Sequence, residues 1–157
     1  MIAGVSRVDA GEFCNRAIAI EVEALRRIQG SFRVIDNPDF RNTGSAAIKD
    51  LDGEIDVRNN PLLEHAGFDE LQSVSGRITI AQNAMLSIVD LPVLSATDWG
   101  IEISNNQELQ HMTAAVLLRA SMTVMNNPVL PACEVAALFA RLGGGQQSGN
   151  DEHATCP

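Results

Sequence analysis

Apolar and polar positions along this chain follow one phrase, written five times over. Counted from a recurring asparagine (Asn37, Asn60, Asn83, Asn106, Asn127), the position five before it holds Phe32, Ile55, Ile78, Ile101 and Met122, and the position three before it holds Val34, Val57, Ile80, Ile103 and Val124. Between them stand Arg33, Asp56, Thr79, Glu102 and Thr123, polar in every copy. This alternation has the period of a short strand with one face buried and one in water. Other apolar columns keep the same phase: Phe40, Leu63, Leu86, Leu109 and Leu130 three after the asparagine, Ile28, Leu51, Val74, Thr97 and Leu118 nine before it, and Leu25, Ile48, Leu71, Leu94 and Ala115 twelve before it. All are expected inside. No helical pattern of a dozen residues separates the copies, which excludes an alternating strand–helix sheet.

The asparagines are 23, 23, 23 and 21 residues apart. A fixed period of this length marks a protein of stacked coils, in which equivalent residues lie about 4.8 Å apart, the spacing of paired strands. Each repeat position then becomes a column through the molecule. The asparagine column is expected to turn the chain after each strand, because asparagine tolerates left-handed backbone and bonds nearby backbone groups. Its buried amides can also bond one another as a ladder. Pro38, Pro61 and Pro128 follow three of the five and strengthen the turn reading. Gly30, Gly53 and Gly76, seven before the asparagine, mark a bend into the strand, and Trp99 and Ala120 stand there in the last two copies.

Outward columns are the candidate binding face: Arg33, Asp56, Thr79, Glu102 and Thr123, with Glu54, Arg77 and Trp99 beside them. Opposite charges are expected to pair laterally, Glu54 with Arg77 and Arg33 with Asp56, each for about 0.2–1 kcal/mol. Trp99, the single tryptophan, packs on the sheet edge or offers an exposed aromatic contact. Glu54 and Asp56 share a face as a general acid/base pair would, but their columns also carry arginine, and a solvated face is the reading adopted over a glycan hydrolase.

At 157 residues the chain can bury one sizeable core. Hydrophobic residues make up 45% and aromatic ones 4%, with no tyrosine, as suits a thin interior filled by Leu, Ile and Val. The net charge of −9, with no basic run, argues against nucleic acid and anionic membrane surfaces. No apolar stretch is long enough to span a bilayer, and Met1 to Phe13 shows no apolar signal segment. His65, His111 and His153 have no ligand partners at metal-binding spacing, and Gly143-Gly-Gly145 follows a predicted helix without a Gly-Lys-Ser/Thr, so it is no phosphate loop. No catalytic residue, cofactor or metal is expected.

Residues 1–13 are expected to be a loose arm, with Ile18-Ala-Ile20 in an incomplete first coil and the repeat domain spanning 14–142. Glu134–Leu142 reads as an amphipathic capping helix stopped by the glycines. A Cys133–Cys156 bridge would tie the 143–157 tail over this cap and stabilise by about 3 kcal/mol. It would also imply an oxidising compartment and leave Cys14 either free and buried or reactive.

The repeat shares the positions minus five, minus three and asparagine of the leucine-rich repeat, and differs at minus nine, minus seven and plus three. The phrase Val74-Ser-Gly-Arg-Ile-Thr-Ile-Ala-Gln-Asn-Ala-Met-Leu86 is more similar to the receptor L domain family. The ending Asn126-Asn-Pro-Val-Leu-Pro-Ala-Cys133, with Ser148-Gly-Asn150 and Cys156, resembles its bacterial members. The resemblance spans about residues 14–157. It implies a mainly β fold, a right-handed single-stranded β-helix of about five 23-residue coils with a short C-terminal helix. In function it implies a monomeric, non-catalytic recognition or adhesion module, extracellular or in the cell envelope, binding a protein or glycan through its strand face. The alternative is a structural spacer of a larger envelope protein with no ligand of its own.

Overall fold

A computed structural model describes residues 8–9, 26–43, 48–118 and 120–156. In chain order the elements are β1 (Val8–Asp9), β2 (Arg27–Ile28) and β3 (Phe32–Ile35), then β4 (Asp50–Leu51), β5 (Ile55–Arg58) and β6 (His65–Gly67). Next come β7 (Ser73–Val74), β8 (Ile78–Ala81) and β9 (Ile88–Asp90), then β10 (Ala96–Thr97), β11 (Ile101–Ser104) and β12 (His111–Thr113). The chain ends with β13 (Met122–Met125), the helix α1 (Ala132–Leu142) and β14 (Gln146–Ser148). All pairing is parallel. A seven-stranded sheet runs β1-β3-β5-β8-β11-β13-β14, a four-stranded sheet β10-β7-β4-β2, and a three-stranded sheet β12-β9-β6. The chain is a β-solenoid of about five turns with one short C-terminal helix.

Like residues lie atop each other as the repeat demands. Phe32 pairs with Ile55, Ile55 with Ile78, Ile78 with Ile101 and Ile101 with Met122. These rows, and the row from Phe40 to Leu130, are buried in one continuous core. The third sheet adds interior residues that no column of the repeat had marked, among them Ala66, Phe68, Val89 and Leu91. Phe32 and Phe68 meet edge to face across the interior, their centroids 5.7 Å apart.

From Asn60 onward the rungs of the asparagine ladder repeat one bonding scheme. The Oδ1 of Asn83 accepts from the backbone N–H of Asn60 at 3.0 Å, and its Nδ2 donates to the Val57 carbonyl at 3.0 Å. Asn106 and Asn127 continue the scheme, and Asn150 adds a sixth rung by accepting from Asn127 at 3.3 Å. The left-handed residue is not the ladder asparagine but its predecessor. Asp36, Asn59, Gln82, Asn105 and Asn126 have φ near +57°, between 55° and 58°. The turn therefore divides its work between two residues: one absorbs the backbone reversal with its side chain outside, and the next turns inward, where its Oδ1 accepts the backbone N–H of the preceding coil's asparagine.

The fifth coil corrects the interior assignment. Leu118 is 76% exposed and Ala115 is also exposed, while Leu117 is buried at 2%. Leu118 N–H donates to the Ser95 carbonyl at 3.2 Å, which aligns it with an outward position. The two residues missing from this coil fall after Leu118, where the four-stranded sheet has already ended at β10. Thr97 replaces an aliphatic residue in its column because its hydroxyl accepts the Gly100 N–H at 2.7 Å.

The C-terminal end is closed by α1, whose buried face is Val135, Leu138 and Phe139. Gly143 ends it in left-handed conformation, and Gly144 N–H donates to the Phe139 carbonyl at 2.9 Å. Arg141 binds the Ala114 and Ala115 carbonyls at 2.8 and 3.2 Å. Cys133 and Cys156 form a disulfide, Cα atoms 6.0 Å apart. The tail it anchors is more than a tether, since β14 extends the long sheet beside β13. Of the segment expected to be a loose arm, Val8 and Asp9 pair with Phe32 and Arg33. Cys14, Ile18, Ile20 and Leu25 lie outside the described residues.

Candidate functional site

The outer face of the long sheet is built from the residues that alternate with the core. Strand period two places three outward rows along it: one begun by Ser31 and Glu54, one by Arg33 and Asp56, and one by Ile35 and Arg58. The first two rows were legible from their polarity. The third was not, because Ile35, Arg58, Ala81, Ser104 and Met125 share no chemical character. The structure thus brings Arg33, Glu54, Asp56, Arg77, Thr79, Glu102 and Thr123 onto one surface, with Trp99 at its border, and adds Arg58, Gln82, Ser104 and Asn105 to it.

The middle of this surface is a trough of about 600 Å³. Small outward residues make its floor, with Ala81 and Ser104 nearly covered, while Arg33, Arg58, Glu102 and Gln82 rise around it. A second trough of about 530 Å³ lies next to it, sharing Arg33 and Glu54. Its floor is Gly53 and Gly76, and Trp99 stands at its side. A Cβ on Gly76 would run into the Gly53 carbonyl of the coil below. The glycine column is thus set by the closeness of the coils, and its by-product is a bare backbone channel. Trp99 takes the corresponding place in the next coil, and 71% of it is exposed. It is a surface aromatic, not a side chain packed on the sheet edge.

Charges on the face pair differently from the lateral pattern expected. Arg33 binds Glu54, not Asp56. Asp56 is held from within its own strand by Arg58, at 2.5 and 2.6 Å. Arg77 reaches Glu102 at 3.5 Å instead of Glu54. The reason is geometric: long side chains cross to the neighbouring outward row of the adjacent coil, or run along their own strand, more easily than they meet a partner directly beside them. The hydrogen bond from Asp56 raises the Arg58 guanidinium above its ordinary range against the opposing effect of burial, helped by the charges of Asp56, Glu102 and Glu54. Arg58 is a permanent cation whose charge is locally neutralised.

Glu54 and Asp56, the two carboxylates nearest to an acid/base pair, are each engaged by an arginine. His65 and His111 lie in strands of the third sheet, away from the troughs. His65 is 2.9 Å from Asp90, and His111 is 3.3 Å from Glu134. Among the described residues no group of three or more metal-ligating side chains comes together. Among them, too, no helix is long and apolar enough to cross a membrane. No known family, characterised protein or solved structure matches this chain.

Proposed function

We propose that the chain is a non-catalytic recognition or adhesion module of the receptor L domain type, which holds a protein or glycan ligand against the outer face of its long sheet. The observation that carries this reading is the central trough, to which four successive coils contribute Arg33, Asp56, Thr79 and Glu102. Solenoid proteins use such repeated faces because each coil adds one row of side chains to an extended surface. Concave sites lined by a few convergent polar groups are also where ligands are held. The disulfide supports an extracellular or cell-envelope location, since such bonds persist in oxidising compartments.

The test is capture by the immobilised chain with and without the paired changes Arg77→Glu and Thr79→Arg. Both residues are on the surface, so the thermal midpoint should move by no more than about 2 °C. The captured partner should be lost. An unchanged partner would remove this face from the reading, and a chain that captures nothing is what a structural spacer would give.

A further inference from the structure

The two adjoining troughs point to a ligand class. We infer that they form a binding site for an uncharged oligosaccharide, with Trp99 as its stacking platform; this rests on the recognition reading above. Three properties lead to it. First, the charges of the face cancel in pairs: Arg33 with Glu54, Arg58 with Asp56, Arg77 with Glu102. The charges lining the two troughs therefore balance, with no local excess of either sign to select an anion or a cation. It keeps many lone pairs and N–H groups in fixed directions, which is what a ligand made of hydroxyl groups needs. Second, Trp99 holds a large flat apolar surface in water beside these polar groups. The C–H face of a sugar ring is the complement to an indole, apolar in the middle and ringed by hydroxyls. Third, the floor next to Trp99 is Gly53 and Gly76, with the Ser31 and Ser75 hydroxyls alongside. A ring can lie against Trp99 over bare backbone without meeting a Cβ.

A protein ligand is disfavoured by the same features. Protein interfaces concentrate apolar and aromatic side chains at a desolvated centre, whereas this centre is the polar trough and its single exposed aromatic lies at the border.

Trp99 is the only tryptophan in the chain, so its fluorescence reports on this place alone. The intact protein is titrated with cellohexaose, chitohexaose and laminarihexaose, and with a heparin hexasaccharide as the anionic comparison. At least one uncharged probe should give a saturable blue shift. Calorimetry should show the same binding weakened at least tenfold in Trp99→Ala and in Arg77→Gln, with thermal midpoints unchanged. No shift and no heat with any uncharged probe, binding of the heparin fragment only, or full affinity in Trp99→Ala would each overturn the inference. If those results came together with a protein partner lost in the Arg77→Glu, Thr79→Arg variant, the face would stand as a protein-binding surface and the glycan assignment would fall alone.

Discussion

Asn83 is fully buried, and nothing in its position is tolerant of loss. Its Oδ1 accepts from Asn60 N–H, its Nδ2 donates to the Val57 carbonyl, and its own N–H donates to Asn106 Oδ1 at 3.1 Å. Replacing it by alanine leaves the Asn60 N–H without its partner in the interior and takes one of two donors from the Val57 carbonyl, which stays paired in the strand ladder. We expect Asn83→Ala to destabilise by about 1–3 kcal/mol in urea denaturation. Asn37 provides the contrast. Its Oδ1 is buried and has no hydrogen-bond partner among the described residues, so Asn37→Ala takes an acceptor from none of them and should cost measurably less. Equal losses at the two positions would mean that the rungs act through turn propensity and not through their amides. Leu86→Ala calibrates both, since emptying that fully buried place should cost about 2–5 kcal/mol. The ladder was legible because each rung is the same residue at the same phase. The left-handed neighbour was not, because Asp36, Asn59, Gln82, Asn105 and Asn126 are chemically mixed and their common feature is a backbone angle.

The strands follow from period two, yet the elements at the C-terminal end obey a different arrangement. Asn150 stands 23 residues after Asn127 and could have been counted as a rung. Its coil hides the fact, because the two positions that should be apolar are Gly145 and Gln147. The reason lies in α1. A Cβ on Gly145 would sit 2.6 Å from the Phe139 ring, so the helix delivers Phe139 to the interior place that the strand leaves vacant, above Met122 in the register. Repeat logic cannot find a core residue that arrives from outside the repeat. The same limit explains Leu117 and Leu118: counting back from Asn127 crosses the shortened stretch, and only alignment with the coil below restores the phase. If Phe139 replaces the missing strand residue, Phe139→Ala should cost about 3 kcal/mol or more. Gly145→Leu should destabilise the native chain by steric conflict, yet recover part of the loss in the Phe139→Ala background. A double-mutant cycle should then give a coupling of about 0.5–3 kcal/mol. Additive effects would show that the two residues do not share one place.

Across the whole molecule the coils touch only their neighbours, so stability is close to a sum of coil terms and interfaces, and unfolding can begin at an end. The two ends differ. At the C-terminal end, the Ala132 N–H and the Asp151 carbonyl bond at 2.8 Å, Asp151 N–H returns to the Leu130 carbonyl at 2.8 Å, and the disulfide closes the 133–156 loop around them. At the other end of the described ladder, Asn37 Oδ1 has no donor among the described residues. Amide exchange should therefore be slowest in β8 and β11, faster in β3, and still slow in β13 of the oxidised protein. Replacing Cys133 and Cys156 by serine removes the loop constraint on the unfolded chain, at a cost of about 3 kcal/mol. The faster exchange should appear first in β14, then β13, while β8 keeps its protection until the cap has opened. If all strands instead lost protection together, the solenoid would be unfolding as one cooperative block, and the disulfide would be acting on the whole core and not on its end. The face of the long sheet sits over the most protected strands, Ile78–Ala81 and Ile101–Ser104, so opening of either end should leave the troughs in place. Ligand affinity in the serine variant should accordingly match that of the oxidised protein at temperatures where β8 remains protected, a comparison that titration of Trp99 fluorescence reads directly.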